Sequence, residues 1–204
     1  FFGLHTLLWG VREAVDAVRE RHKPRRHHAA GPTIQRFTRF HRVVHGFVIV
    51  SFLGLAATGA PLRFAHTAWA EGIFAVLGGV SAAGWWHRLF AIITFGYFSS
   101  HVFYMGRALW RRWRQGTLRP ALLGPDSLVP RLSDAKDIVA HFRWFVGAGP
   151  RPTWDRWTYW EKFDYWAVFW GVAIIGASGL MLWFPAFFSH FLPGWTVNVA
   201  LVIH

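Results

Sequence analysis

Long apolar stretches alternate with strongly basic ones along this chain. Three of the apolar stretches carry no Asp, Glu, Lys or Arg at all: residues 43–62, 89–106 and 165–184, the second with its helix beginning near Trp85. About 20 apolar residues are needed to cross the ~30 Å of hydrocarbon in a bilayer as a helix, and lipid accepts no open chain that leaves backbone groups unsatisfied. Buried helices of soluble proteins are rarely this long and this free of charge. The pattern therefore predicts an all-α, polytopic transmembrane bundle with helices A (43–62), B (89–106) and C (165–184). A fourth apolar run starts near Trp195 and is cut at His204, and residues 1–11 read as the tail of a further, N-terminal helix. Neither end looks natural, and the sequence reads as a piece of a longer chain with no signal-peptide pattern at its start.

The polar stretches are unequal. Residues 12–42 hold nine Lys and Arg and residues 107–162 hold eleven, so 20 of the 22 basic residues fall in two segments that the three spans put on one side of a membrane. Segments 63–84 and 185–194, on the other side, are nearly uncharged. Crowding of Lys and Arg in cytoplasmic loops is the positive-inside pattern. It orients helix A outward, B inward and C outward, and it accounts for the net charge of +12 without nucleic acid. The organisation that follows is a basic cytoplasmic segment with the possible helix end over 1–35, then a transmembrane domain over 36–204 with a cytoplasmic loop at 107–162. Within that loop, 120–130 reads as irregular. Residues 134–145 have helical spacing, with Ile138, Val139, Phe142 and Phe145 on one side, suited to lying on a membrane surface. Trp154, Trp157, Tyr159 and Trp160 form an aromatic belt ahead of helix C. No internal repeat stands out.

Composition narrows the chemistry. The chain has no cysteine, which excludes c-type haem attachment, thiolate-held iron–sulfur clusters and Cys-based zinc sites within these residues. No nucleotide-binding loop is present. The 12 His are what remains. An ionisable residue inside a span is a functional candidate. His45 lies about one turn into helix A near the inner face, His87 at the outer end of helix B, His101 in its inner part, and His204 in the outer part of the fourth run. His87 and His101 are 14 residues apart, which returns to within about 40° of the same helix face and spans about 21 Å along the axis. That separation suits two haems stacked across a bilayer, with His87 and His204 at one depth and His45 and His101 at the other. Histidines hydrogen-bonded within a helical core remain the alternative. Gly46, Gly54, Gly59 and Gly96 would let a flat macrocycle approach, or would equally let helices pack closely. His5 and His41 rank below these four as ligands. His22, His27 and His28 read as solvated, and His66, His141 and His190 lie outside the spans.

The run Arg36-Phe37-Thr38-Arg39-Phe40-His41-Arg42-Val43-Val44-His45-Gly46, followed by Leu55-Ala56-Ala57-Thr58-Gly59, resembles the first helix of the formate dehydrogenase gamma-subunit family of cytochromes b. His87-Arg88 resembles that family's second-helix ligand. Glu161-Lys162 with Tyr165-Trp166 and Ser178-Gly179-Leu180 resembles its third helix, and Pro193-Gly194-Trp195 through His204 resembles the start of its fourth. The resemblance covers roughly 36–204, and the chain is also similar to the cytochrome b modules that accompany multihaem cytochromes c. It implies a four-helix bundle with the fourth helix truncated and two haems b. His204 would pair with His87, and His45 with a ligand beyond this chain. That departs from the depth argument, which pairs His45 with His101, and leaves His101 as an alternative ligand, the ligand of an extra haem, or a quinone contact. The resemblance further implies a quinone site, for menaquinone or ubiquinone, near the inner haem, at Tyr159, Glu161 and Lys162; the family commonly has Gln where this chain has Glu161.

Two functions follow as expectations. One is a haem b subunit in the bacterial inner membrane, passing electrons between a periplasmic iron–sulfur or multihaem cytochrome c partner and the quinone pool. The other is a haem-free membrane anchor or transporter subunit.

Overall fold

The computed structural model describes residues 2–20 and 37–204. Among the described residues there is helix and no strand. In chain order the helices are α1 (Phe2–Glu20), α2 (Arg39–Arg63), α3 (Ala68–Leu77), α4 (Val80–Arg114), α5 (Leu118–Leu123), α6 (Leu132–Phe145), α7 (Tyr159–Trp183), α8 (Pro185–Ser189) and α9 (Trp195–Ile203). Three of them, α2, α4 and α7, are long and apolar enough to cross a membrane. They coincide with the three charge-free stretches and extend beyond them. His22, His27, His28 and Arg36 lie outside the described residues.

The extensions have a local cause. Arg88 and Arg107 end an apolar stretch but not a helix, because a long cationic side chain can reach sideways to the headgroups while its backbone stays helical. What ends α4 is glycine. Gly78 and Gly79 take φ of 90° and 100° and separate it from α3, and Gly116 takes φ of 68° just beyond its other end. In the first of these turns the Gly78 and Gly79 amides both donate to the Phe74 carbonyl, closing the last turn of α3 as left-handed caps do.

The described residues divide into two compact units. One consists of α2, α3 and α4. Here α2 and α4 run antiparallel in a register given by side-chain pairs. Phe40 meets Tyr104 at a ring separation of 5.9 Å, the Ser51 hydroxyl donates to Tyr97 at 3.5 Å, and Gly54 lies against the ring of Phe90. The Gly54 approach is too close for any side chain: a Cβ there would lie 2.5 Å from the Phe90 ring. Gly54 thus belongs to helix packing. Helix α3 closes the turn, with Ala70 and Phe74 buried against Ala83 of α4 and flanked by Leu62 and Leu77. Segment 63–84, expected as a plain loop, contains this helix because its ten residues carry one charge, Glu71, in the first turn, where the helix dipole favours it.

The other unit consists of α1 and α5 to α9. Helix α1 is longer than the apolar run 1–11, since Glu13 and Asp16 find partners: Arg151 binds Glu13 at 2.5 Å, and Arg12 and the Trp144 indole bind Asp16 at 3.2 and 3.1 Å. The stretch after α5 is tied down by two indoles, Trp157 donating to the Asp126 carbonyl and Trp166 to the Leu128 carbonyl. Within the irregular 120–130 region the short α5 was not foreseen.

Helix α6 covers the expected stretch, starting two residues earlier, and the face it buries is the one opposite its apolar side. Asp134, His141 and Trp144 are buried, while Ile138, Val139 and Phe142 are exposed. Spacings of seven and three put the first group on one face, and it is a face of polar groups and an indole that finds partners on α1 and α7. Ile138, Val139 and Phe142 are left outward, as a helix lying on lipid would have them, while Phe145 packs on the His141 ring.

Candidate functional site

The α2–α4 unit holds three of the four expected ligands. His87 sits opposite Thr58 and Gly59. Its Nδ1 is 2.9 Å from the Thr58 hydroxyl, and a Cβ on Gly59 would lie 3.0 Å from its Cε1. The imidazole is therefore seated in a notch at Gly59 where a side chain would press on the ring. The Thr58 hydroxyl is also 2.7 Å from the Gly54 carbonyl. Two oxygens at that distance need a proton between them, so the Thr58 hydrogen goes to Gly54 and Thr58 Oγ1 accepts from His87. Nδ1 then carries the proton, and the lone pair of the neutral ring is on Nε2.

His204 repeats this arrangement in the other unit. Its Nδ1 is 3.1 Å from the Ile175 carbonyl, which can only accept, and 3.4 Å from the Ser178 hydroxyl. Ser178 itself donates to Ile175 at 2.9 Å. A Cβ on Gly179 would lie 2.8 Å from the His204 Cε1. Again Nδ1 is protonated and the Nε2 lone pair remains. The two notches share a local sequence: Leu55-Ala56-Ala57-Thr58-Gly59 corresponds to Ile175-Gly176-Ala177-Ser178-Gly179. Both lie near the end of a long helix, and a short helix and a second helix with the histidine follow. The sequence reading found no repeat, and this one is visible only once the two histidines are seen seated alike.

His45 and His101 differ. The α2–α4 register puts them level with one another, in accord with the depth argument. But His45 is exposed. Nine residues before Gly54, it lies about half a turn round α2 from the seam with α4. His101 is half-buried on α4. His41, on the first turn of α2, is 2.8 Å from the side chain of Thr38, the helix N-cap. Gly46 and Gly96 have open space where a side chain would be. Among the described residues no group of three or more His, Cys, Asp or Glu gathers to hold a metal ion.

The three residues expected at a quinone are each held. Tyr159, the first residue of α7, is buried, and its hydroxyl is 3.1 Å from both His5 Nε2 and His141 Nδ1. A phenol has one hydrogen, so it donates to one imidazole and accepts from the other. Lys162 is 1% exposed and pairs with Asp134 at 2.7 Å. Glu161 closes a capping box: its Oε2 accepts from the Thr158 amide and hydroxyl at 2.9 and 2.8 Å. That stabilises the start of α7.

Sequence reasoning missed the cluster around Tyr159. His5, ranked low, and His141, set aside as outside the spans, are both buried here. Rings of Trp9, Phe145, Trp154 and Trp160 surround His141 at 4.2–5.4 Å. Trp154, Tyr159 and Trp160, expected as an interfacial belt, instead pack on this imidazole. The signal available was the polar stripe Asp134 and His141 on a helix whose other face is apolar.

Burial pulls His141 well below its ordinary value near 6.5, to about 4, with His5 and Arg151 adding repulsion; burial lowers His5 as well. Because the folded form resists a proton that the unfolded chain takes up, stability contributed here is present above about pH 6.5 and is lost as pH falls toward 4. At about 1.4 kcal/mol per unit the upper limit for His141 is about 3 kcal/mol. We expect α1 and α6 to lose amide-exchange protection together between pH 7 and 4.5, after correction for intrinsic rates, while α2 and α4 do not; equal protection across that range would contradict it.

No family model matches this chain, and no curated protein or solved structure matches it either.

Proposed function

We propose that the chain is a haem b subunit that carries electrons across a bacterial inner membrane between a periplasmic redox partner and quinone. One observation carries this reading: two histidines seated in glycine notches, each with Nδ1 held by a protein oxygen and its lone pair on Nε2. Histidines that bind metals characteristically give their second ring nitrogen to such a partner, and a glycine beside the ring lets the imidazole seat close against the neighbouring helix. Haem b held on imidazoles supplies a one-electron carrier whose potential follows from ligand strength and burial.

Following the resemblance, His87 and His204 would hold one haem near the outer face. His45, turned off the α2–α4 seam, would serve a second with a ligand from outside this chain. His101 is then a secondary candidate, as ligand or quinone contact. Tyr159, Glu161 and Lys162 mark the inner end of α7, where quinone is proposed to bind. The Glu161 carboxylate, half-buried and also capping α7, is the group proposed to pass a proton there. The skew of basic residues, 20 of 22 on one side of the spans, supports the orientation. With no cysteine in the chain, an iron–sulfur or c-type haem centre has to come from a partner.

The test is a reduced-minus-oxidised spectrum of the full-length protein with haem b counted per chain. Two haems are expected, and His87→Ala should lose one while keeping the other. A colourless protein, or a spectrum unchanged in His87→Ala, would overturn the reading and leave a membrane anchor or transporter.

A further inference from the structure

We propose that Thr58 is a positioning residue for the axial imidazole of His87, and that the Ile175 carbonyl with Ser178 does the same for His204; this rests on the haem reading above. Thr58 is 2% exposed, so no solvent stands in for its oxygen. Its hydrogen is committed to the Gly54 carbonyl at 2.7 Å, which makes Oγ1 an acceptor toward His87 at 2.9 Å. Helix α2 puts this acceptor one residue before the Gly59 notch. Ring and acceptor are thereby locked together. Glycine admits the imidazole edge-on, and the hydroxyl opposes the ring flip that would put Cδ2 where Nδ1 lies. The bond decides which nitrogen is available for iron. It also draws the Nδ1 proton outward, which makes the imidazole a stronger donor and favours the ferric form.

The two notches differ in a way that can be tested. At His204 the nearer acceptor is a backbone carbonyl at 3.1 Å, with Ser178 at 3.4 Å. Removing the Ser178 hydroxyl leaves the carbonyl in place. Removing the Thr58 hydroxyl takes away the acceptor that fixes His87. Thr58 is therefore the more sensitive of the two.

The experiment compares wild type, Thr58→Val, Thr58→Ser and Ser178→Ala as full-length proteins. Haem retention against an apo-haemoprotein competitor, midpoint potentials and low-spin ferric EPR are measured, together with 15N histidine spectra of haem-stripped protein. Thr58→Val keeps the side-chain shape and should weaken haem retention by about 10- to 100-fold, raise the potential of that haem, and mix the His87 tautomers. Thr58→Ser should stay near wild type, and Ser178→Ala should change less than Thr58→Val. Retention within twofold and an unmoved potential in Thr58→Val would overturn the inference, as would a wild-type His87 protonated on Nε2. A wild type that binds no haem sinks the haem reading instead, and the 15N spectra then still decide whether Thr58 sets the tautomer.

Discussion

Asp134→Ala should unfasten α6 from α7 and cost about 3–5 kcal/mol, the usual loss when one member of a buried ion pair is removed. The Lys162 ammonium is 1% exposed and 2.7 Å from Asp134. Without the carboxylate it has to give up its charge, draw in water or pull away from α6. Asp134 also accepts from the Arg131 amide at 2.6 Å, so the same change removes a bond at the start of α6. Lys162→Met should cost less, because the Arg131 amide still serves the stranded carboxylate. The double variant Asp134→Leu/Lys162→Met should recover much of the loss, as apolar replacements of buried pairs do. Denaturant titration in detergent, with proteolysis of the 115–158 segment as a local probe, reads all three. A cost under about 0.5 kcal/mol for Asp134→Ala, the range of ordinary surface changes, would mean that the pair is not buried as described.

Tyr159→Phe should be the next most damaging change outside the notches. One hydroxyl binds two buried imidazoles at 3.1 Å each, on α1 and on α6. Removing it deprives both of that bond at about 1–3 kcal/mol apiece, while the ring stays to fill its space. Docking of α1 should suffer most, since what remains to hold it is the Trp144 bond to Asp16, the packing of Trp9 on His141 and the partly exposed pair of Arg151 with Glu13. The readout is amide exchange along α1 and α6. Thr158 and Glu161 continue to cap α7, so exchange within α7 should be unaltered. If α1 is as protected in the variant as in wild type, the phenol is not what holds it.

The three spans were legible because lipid imposes a simple rule: no charge for about 20 residues. Their true lengths were not, because arginine ends an apolar stretch without ending a helix, and glycine conformations at residues 78, 79 and 116 decided the boundaries. Helices α3 and α8 were missed for being shorter than any span criterion. The histidines at the notches stand out by depth and by the resemblance. Thr58 and Ser178 enter only through the resemblance, Gly59 also as one of four small residues that could admit a macrocycle or a helix, and nothing in the linear pattern ties Thr58 to His87, 29 positions on. The Tyr159 cluster was further out of reach, since His5 and Tyr159 are 154 residues apart. Partnership over that distance leaves no trace in periodicity. The face of α6 is instructive. Hydrophobic spacing predicts a helix over 134–145 with an apolar side suited to a membrane surface, and Ile138, Val139 and Phe142 are exposed on that side; spacing does not name the partners on α1 and α7 that bury the opposite, polar face.

At about 1.5 Å per residue, the 35 residues of α4 make a rod of about 52 Å, against about 30 Å of hydrocarbon. About 20 Å of it has to stand clear of the apolar layer or lean within it. Arg107, Arg111, Arg112 and Arg114 all lie in its final eight residues, with Arg114 laid over the Trp110 ring, so the surplus belongs at that end. In a thicker bilayer more of the rod is submerged, and in a thinner one more emerges or it tilts further. The rod never runs short of helix in either case. In a membrane, α4 would have the length to fit bilayers of different thickness, and α2 and α7, at 25 residues each, would have much less slack to give.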